Sequence, residues 1–255
     1  MISLLLASVV VIIVFAFWTA PRWLVPRLAA RTPDCVYAIP TRERAVALTL
    51  DDGPDPFSTP EILRILRAHD ARATFFLISG RVRGQEQVVS GIVAAGHELG
   101  NHLTHDTPSI RLSLAAFSQA LCEAGSVLAG FGAVRFVRPG SAWHTQGMRA
   151  AIERAGYRCA LGSVYPYDPQ LPSPRLASAY ILANVRPGAV IVLHECGRRG
   201  RRTIETLRRT LPQLRARGYR VVTLSELDGM RESRATQGDA TNYSHRPDRE
   251  IQCSS

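Results

Sequence analysis

Lysine is absent from all 255 residues, so the 31 basic side chains are arginine, set against 21 acidic ones for a formal net charge of +10. Complete exclusion of one basic residue reflects GC-rich coding rather than chemistry. The positive balance would suit anionic partners such as nucleic acid, acidic polymers or anionic lipid. No helix-turn-helix, zinc-finger or RNA-binding signature accompanies it, so a solvated basic surface is the plainer reading and no nucleic-acid partner is expected. CxxC pairs are missing too. The five cysteines (Cys35, Cys122, Cys159, Cys196 and Cys253) are odd in number and scattered, which argues against a disulfide framework and against a cysteine metal site. Cys122 and Cys159 lie in apolar stretches and read as small core hydrophobes. Internal repeats are absent as well. What remains is a globular composition, 46% hydrophobic and 20% charged, in a chain long enough for one sizeable domain or two small ones.

Residues 2–20 carry no charge and are dominated by Leu, Val, Ile, Ala and Phe, close to the roughly 20 residues that span a bilayer. Trp18 and Trp23 stand near the end of the run, where interfacial aromatics belong. A basic n-region and a small-x-small cleavage site are both lacking, which favours a signal anchor over a cleaved signal peptide. The expected organisation is a transmembrane anchor over 1–22, a linker over 23–43, one globular domain over 44–228, and a polar, disordered tail over 229–255.

Within the domain, short apolar runs alternate with helical patterns. Strands are expected at 45–50, 73–78, 97–101, 134–137, 159–164, 189–193 and 220–224. Between them Ser58-Thr59-Pro60-Glu61 opens a helix with a cap and an early proline. Further apolar faces follow at Val88, Val89, Ile92 and Val93, at Leu114, Phe117, Leu121 and Leu128, over 147–155 and 176–185, and at Ile204, Leu207, Leu211 and Leu214. Repeated strand–helix units predict an α/β fold with a parallel sheet or barrel. In such folds the chemistry collects at the C-terminal ends of the strands.

Several strand ends carry reactive side chains. The first ends in Asp51-Asp52-Gly53-Pro54. Adjacent carboxylates repel, and a divalent cation is the economical way to hold them together, although Asp-Gly-Pro alone would be a turn. The third ends in His102-Leu103-Thr104-His105-Asp106. On a helical turn, His102 with His105 or His102 with Asp106 would share a face and grip one metal. After the fourth strand, Arg138 can orient a carboxylate through bidentate hydrogen bonds, and the Gly140-Ser141 turn can offer backbone N–H groups to an oxyanion. Tyr165-Pro166-Tyr167-Asp168 follows the fifth strand and His194 the sixth, where a neighbouring carboxylate such as Asp168 can tune the imidazole.

Taken in order, these segments resemble the polysaccharide deacetylases of carbohydrate esterase family 4, the NodB-homology fold. The resemblance spans about 45–227 and rests on Thr49-Leu50-Asp51-Asp52-Gly53-Pro54, Gly96-His97-Glu98-Leu99-Gly100-Asn101-His102, Arg138-Pro139 and Leu193-His194. It implies a distorted (β/α) barrel of about seven strands, here preceded by the N-terminal apolar helix. It also implies one divalent metal ion, zinc being typical, and removal of an N-acetyl group from a chitin- or peptidoglycan-like glycan. By position, Asp51 resembles the catalytic base, His194 the general acid, Arg138 the residue that positions the base, and Asp168 an aspartate of the sugar-contact element. Asp52 and His102 resemble metal ligands. The family's second histidine, four residues on, is replaced by Asp106, which keeps the register; His105 is the alternative. Ser141, with Trp143 close by, stands near the family's oxyanion tyrosine, and Tyr165 replaces an aspartate of the sugar wall. That last change leaves room for a non-sugar amide hydrolase of the same fold, and the two altered motifs leave room for a catalytically weak glycan-binding relative. A polyanion-binding protein using Arg198-Arg199-Gly200-Arg201-Arg202 would explain none of the strand-end carboxylates. The implied location is membrane-anchored with the domain extracytoplasmic, although Arg22, Arg27, Arg31 and Arg42 after the anchor favour the cytoplasmic side.

Overall fold

The computed structural model describes residues 2–231, with side chains from residue 16 onward except Phe17. In chain order the elements are α1 (Ile2–Arg31), β1 (Cys35–Val36), β2 (Ala45–Gly53), α2 (Ser58–Ala68), β3 (Ala73–Leu77), α3 (Glu86–Ala94), β4 (Glu98–Asn101), α4 (Leu114–Ala129) and β5 (Val134–Val137). Then come α5 (Gln146–Arg154), β6 (Arg158–Ala160), α6 (Pro174–Asn184), β7 (Val190–His194), α7 (Gly197–Ala216), β8 (Arg220–Val222) and α8 (Leu224–Gly229). Every strand pairing is parallel. The sheet runs β1-β6-β5-β4-β3-β2-β7, with β8 attached beside β2. Seven strands therefore form a half-barrel, and its open side is spanned by isolated bridges at Ala38–Ala189 and Val164–Ile191.

The alternation along β2 divides the core in two. Val46, Leu48 and Leu50 pack outward with Ile62, Leu66, Leu207 and Leu211 of the surrounding helices. Ala45 and Ala47 point inward, against Phe76, Phe136, Ala160 and Val190. Successive strand side chains take opposite faces, so Thr49 and Asp51 continue the inward face toward the C-terminal mouth. Leu224 and Leu227 of α8 join the inner cluster and are fully buried. Burying a leucine is worth about 1.5–3 kcal/mol, which is why so short a helix holds its place.

Several boundaries differ from expectation for local reasons. Ser58 does not cap α2. Asp55 Oδ1 does, accepting from the Phe57 and Ser58 amides at 3.0 and 2.8 Å. Strand β6 stops at Ala160 because Gly162 turns left-handed at φ 91°. The chain then crosses to β7, where the Ser163 and Val164 amides both donate to the Val190 carbonyl. Helix α7 begins at Gly197 rather than near Ile204, so the arginine cluster is helical and starts at the sheet's C-terminal edge. Strand β1, which no run of the sequence announces, pairs Cys35 with Cys159. Both are buried free thiols, whereas Cys122 is only half-buried.

The segment 23–43 carries the end of α1 and strand β1. Trp18 stacks edge-on against Tyr180 with centroids 5.5 Å apart. Asn184 Nδ2 donates to the Trp18 carbonyl and Arg22 to that of Ala183, so this end of α1 is docked on α6. Among the described residues no helix is long and apolar enough to cross a membrane. Most side chains of the expected anchor lie outside the described residues, as does nearly all of the expected tail, 232–255.

Helix α8 opens on a capping box between Thr223 and Glu226. Replacing Thr223 with Ala should cost about 1 kcal/mol, read as a lower urea midpoint with unchanged slope. No loss would show that the cap does not hold the barrel's base.

Candidate active site

The site is built at the end of β2. The register there shifts between Asp51 and Gly53, and Asp52 is the extra residue, with φ 73°. In an unbroken strand Asp52 would face the helices, opposite Asp51. The bulge re-aims it, and both carboxylates serve the same mouth while remaining buried, 4% and 3% exposed. Across the β2–β7 ladder, Asp51 is the register partner of His194.

Asp51 is held by Arg138. Its Nη1 donates to Asp51 Oδ1 at 2.5 Å and to Thr49 Oγ1 at 2.8 Å, and its Nε donates to the Ala160 carbonyl at 2.9 Å. The grip on the carboxylate is single rather than bidentate. The guanidinium lies over the Phe76 ring, 4.1 Å from its centroid, and Nη2 finds no hydrogen-bond partner among the described residues. Arg138 is 2% exposed, so its charge is compensated almost wholly by Asp51.

Asp52 faces His102, whose Nε2 lies 3.4 Å from Asp52 Oδ1. His102 Nδ1 donates to the Arg138 carbonyl at 2.7 Å, which leaves Nε2 with its lone pair in the neutral tautomer, the arrangement expected of a metal-binding histidine. The other oxygen, Asp52 Oδ2, accepts from Arg199 Nη1 at 2.8 Å. Arg81 donates to the Asp52 carbonyl. Burial opposes the Asp52 charge, but His102, His194 and Arg199 outweigh it and hold the carboxyl well below its ordinary range.

His194 is anchored by Asp168. Its Nδ1 lies 3.1 and 3.0 Å from the two carboxylate oxygens, and its backbone amide donates to Asp168 Oδ2 at 3.2 Å. Burial works against the imidazolium, yet the Asp168 hydrogen bond and the fields of Asp168, Asp51 and Asp52 raise its pKa above the usual value. Tyr165 stands edge-on to the imidazole, with centroids 5.8 Å apart.

The remaining candidates are placed more loosely. His105 and Asp106 lie on an exposed loop, not on a helical turn. Leu103 has φ 65°, a backbone conformation unusual for leucine, stabilised by its amide donating to Asn101 Oδ1 and by its buried side chain. The shared face assumed for a helical His102 and Asp106 therefore does not exist. Asp106 lies 3.5 Å from Arg81, and His105 Nδ1 is 2.9 Å from Thr104 Oγ1. Among the described residues no three His, Cys, Asp or Glu side chains converge to hold a metal ion. Ser141 and Trp143 occupy an exposed turn, with Ser141 left-handed at φ 57°. Its neighbours' amides are engaged, Gly140 with Ser109 Oγ and Ala142 with the Pro139 carbonyl.

A family model for polysaccharide deacetylase matches residues 38–160. A peptidoglycan-N-acetylglucosamine deacetylase of Bacillus cereus is 30% identical over 194 residues, covering 75% of this chain and 91% of the relative. The chain belongs to the polysaccharide deacetylase family. It is thereby an enzyme of the class that hydrolyses carbon–nitrogen bonds other than peptide bonds. A chitooligosaccharide deacetylase of a Bradyrhizobium species is 32% identical over 199 residues, covering 72% of this chain and 90% of that one. Among solved structures, a peptidoglycan N-acetylglucosamine deacetylase superposes with a TM-score of 0.73 at 28% identity, over 79% of this chain and 95% of its own.

Two members of this deacetylase's site escaped the sequence reading. Arg199 was visible only as part of a basic cluster. Glu195 follows His194 directly and is fully buried; Thr59 Oγ1 donates to its Oε2 at 2.9 Å, and Oε1 has no partner among the described residues. Burial, with Asp55, Asp52 and Asp51 adding to it, pushes this carboxyl up to about 8. The folded protein thus binds the Glu195 proton more tightly than the unfolded chain, whose reference value is 4.5. The associated stability is complete below pH 4.5 and is lost as pH rises toward about 8. In Glu195→Gln that loss is absent, so the variant's stability relative to wild type should climb by about 1.4 kcal/mol per pH unit across this window and level off above it. Denaturant unfolding at several pH values measures it; a constant difference would mean Glu195 is ionised in the fold.

Proposed function

We propose that this enzyme removes the N-acetyl group from an N-acetylated sugar in a chitin- or peptidoglycan-like polysaccharide or oligosaccharide, releasing acetate, and that it does so with one divalent cation, zinc being the expected one. The observation that carries the reading is the pairing of a held base with a held acid. Asp51 is fixed by Arg138, His194 is fixed by Asp168, and the two are register partners across adjacent strands. Relatives of known name that deacetylate peptidoglycan N-acetylglucosamine and chitooligosaccharides support the substrate class.

The donor set fits a cation in two of its parts. Asp52 offers a charged carboxylate and His102 an Nε2 lone pair on the same side. Asp106, or His105, would supply a third ligand only after the exposed loop moves. A cation held there would add positive charge against the acetamide carbonyl and the attacking water. The protein's own groups do the rest. Asp51 takes the proton as water attacks the carbonyl carbon, and Arg138 keeps its carboxylate aimed while leaving the second oxygen free of that guanidinium. The amides flanking Ser141 are engaged with Ser109 Oγ and the Pro139 carbonyl, so that turn would have to open before one of its N–H groups faced the developing oxyanion, a contact typically worth roughly 3 kcal/mol. His194, as imidazolium, gives its Nε2 proton to the departing amine, and Asp168 fixes the tautomer and favours the charged ring. Tyr165 and Trp143 shape the wall on which a sugar ring rests.

The unclosed third-ligand position is the one feature that favours the alternative of a catalytically weak glycan-binding relative, and acetate release from acetylated chitooligomers or peptidoglycan fragments separates the two. The uncharged run 2–20 supports a membrane anchor, with the domain on the outer face where such glycans lie.

Asp51→Asn should keep metal binding while lowering acetate release by roughly 10²–10⁴-fold, whereas Asp52→Ala should lose both. Equal metal content and equal turnover in the two variants would contradict the assigned roles. In Asp168→Asn the basic limb of the kcat/KM profile should move to lower pH, because His194 loses the partner that raises its pKa. An unmoved limb would remove His194 as the acid.

A further inference from the structure

Arg199 occupies a position that helix stability does not explain. It lies in the first turn of α7, which contains no acidic residue and is crowded by Arg198, Arg201 and Arg202. A helix N-terminus carries partial positive charge, so cations there are unfavourable. The compensation comes from outside the helix. Arg199 Nη1 reaches 2.8 Å from Asp52 Oδ2, and the carboxylate is almost fully buried while the arginine side chain remains 42% exposed. A second guanidinium stands beside it. Arg81 donates to the Asp52 carbonyl and lies 3.5 Å from Asp106. Both acidic groups read as metal ligands are therefore in contact with arginine.

We propose that Arg199 is a built-in competitor for the divalent cation at Asp52. This rests on the reading that Asp52 and His102 hold that cation. The guanidinium satisfies the Oδ2 lone pair and supplies positive charge while the cation is away, so the buried carboxylate is never left uncompensated. Binding of the cation requires Arg199 to give up Asp52, and its exposure leaves it a path into solvent. If it stays near, it repels the incoming charge. Either way the metal is held more weakly than Asp52 and His102 alone would hold it, and Arg199 sets how readily the site loads and empties.

The test uses the full chain, stripped with a chelator, dialysed, and titrated with zinc alone against a chromophoric competitor. Arg199→Ala should bind zinc roughly tenfold more tightly than wild type, given a pair between one buried and one half-exposed charge. Arg199→Lys retains the charge and should stay within a few-fold of wild type. Thermal melts of the stripped proteins verify folding. Affinity equal to or weaker than wild type in Arg199→Ala overturns the inference, as does equal tightening in Arg199→Lys. Asp52→Ala separates the two levels. If it abolishes zinc binding while Arg199→Ala leaves the affinity unchanged, the ligand reading stands and only the competitor role falls. If Asp52→Ala binds zinc as wild type does, the ligand reading fails and the competitor role falls with it.

Discussion

Adjacent carboxylates in a nearly dry pocket are tolerable only if each meets its own positive partner, and the whole mouth of the half-barrel is arranged around that requirement. Asp51 is met by Arg138 and Asp52 by Arg199, with His102 adding its charge only when protonated. Arg138 does more than neutralise. By donating to Thr49 and Asp51 on β2 and to the Ala160 carbonyl on β6, and by offering its own carbonyl to His102, it ties strands β2, β5 and β6 to the end of β4. Removing one partner from a buried pair of this kind leaves an uncompensated charge, a loss of order 3–5 kcal/mol. The placement of Asp51 and local stability therefore hang on the same guanidinium.

The fold supplies the positions that electrostatics then uses. The period-two alternation that sends Ala45 and Ala47 into the barrel's interior also sends Thr49 and Asp51 there, and parallel pairing delivers His194 opposite Asp51. The single bulge at Asp52 breaks the alternation at the one place where two consecutive side chains must serve one site. Glu195, the next residue after His194, shows the limit of the arrangement. With Asp51, Asp52 and Asp55 nearby and no cation of its own, it is held as a neutral acid, and Gly53 has no Cβ because one would collide with that carboxyl.

Much of this was legible in the chain. Continuous apolar runs marked β2, β3 and β7, because parallel strands covered on both faces need them, and the strand ends named Asp51, Asp52, His102, Arg138, Asp168 and His194. What was not legible depends on single backbone dihedrals or on distant partners. The left-handed Leu103 removes the helical register that would have set Asp106 above His102. The left-handed Gly162 ends β6 early. Arg199 was hidden in a basic run whose helical start could not be placed, since its first buried position after Gly200 is Thr203. Glu195 carried only the signal of adjacency to His194, which by itself does not distinguish a buried acid from an exposed one.

The two arginines in contact with Asp52 and Asp106 are not equivalent, and the difference bears on how the third position of the proposed cation site would be filled. Arg81 and Asp106 form an exposed pair, with 29% and 51% of their side chains accessible, and pairs of this kind contribute about 0–1 kcal/mol. Asp106 is thus held back by little more than the conformation of its loop. Asp52 is nearly buried, so its contact with Arg199 is screened less by solvent and costs more to break. On the proposed cation site, filling the ligand set would be limited by release of Asp52 from Arg199, not by recruitment of Asp106. The strained Leu103 next to His102 marks the segment whose backbone would absorb the smaller of the two changes.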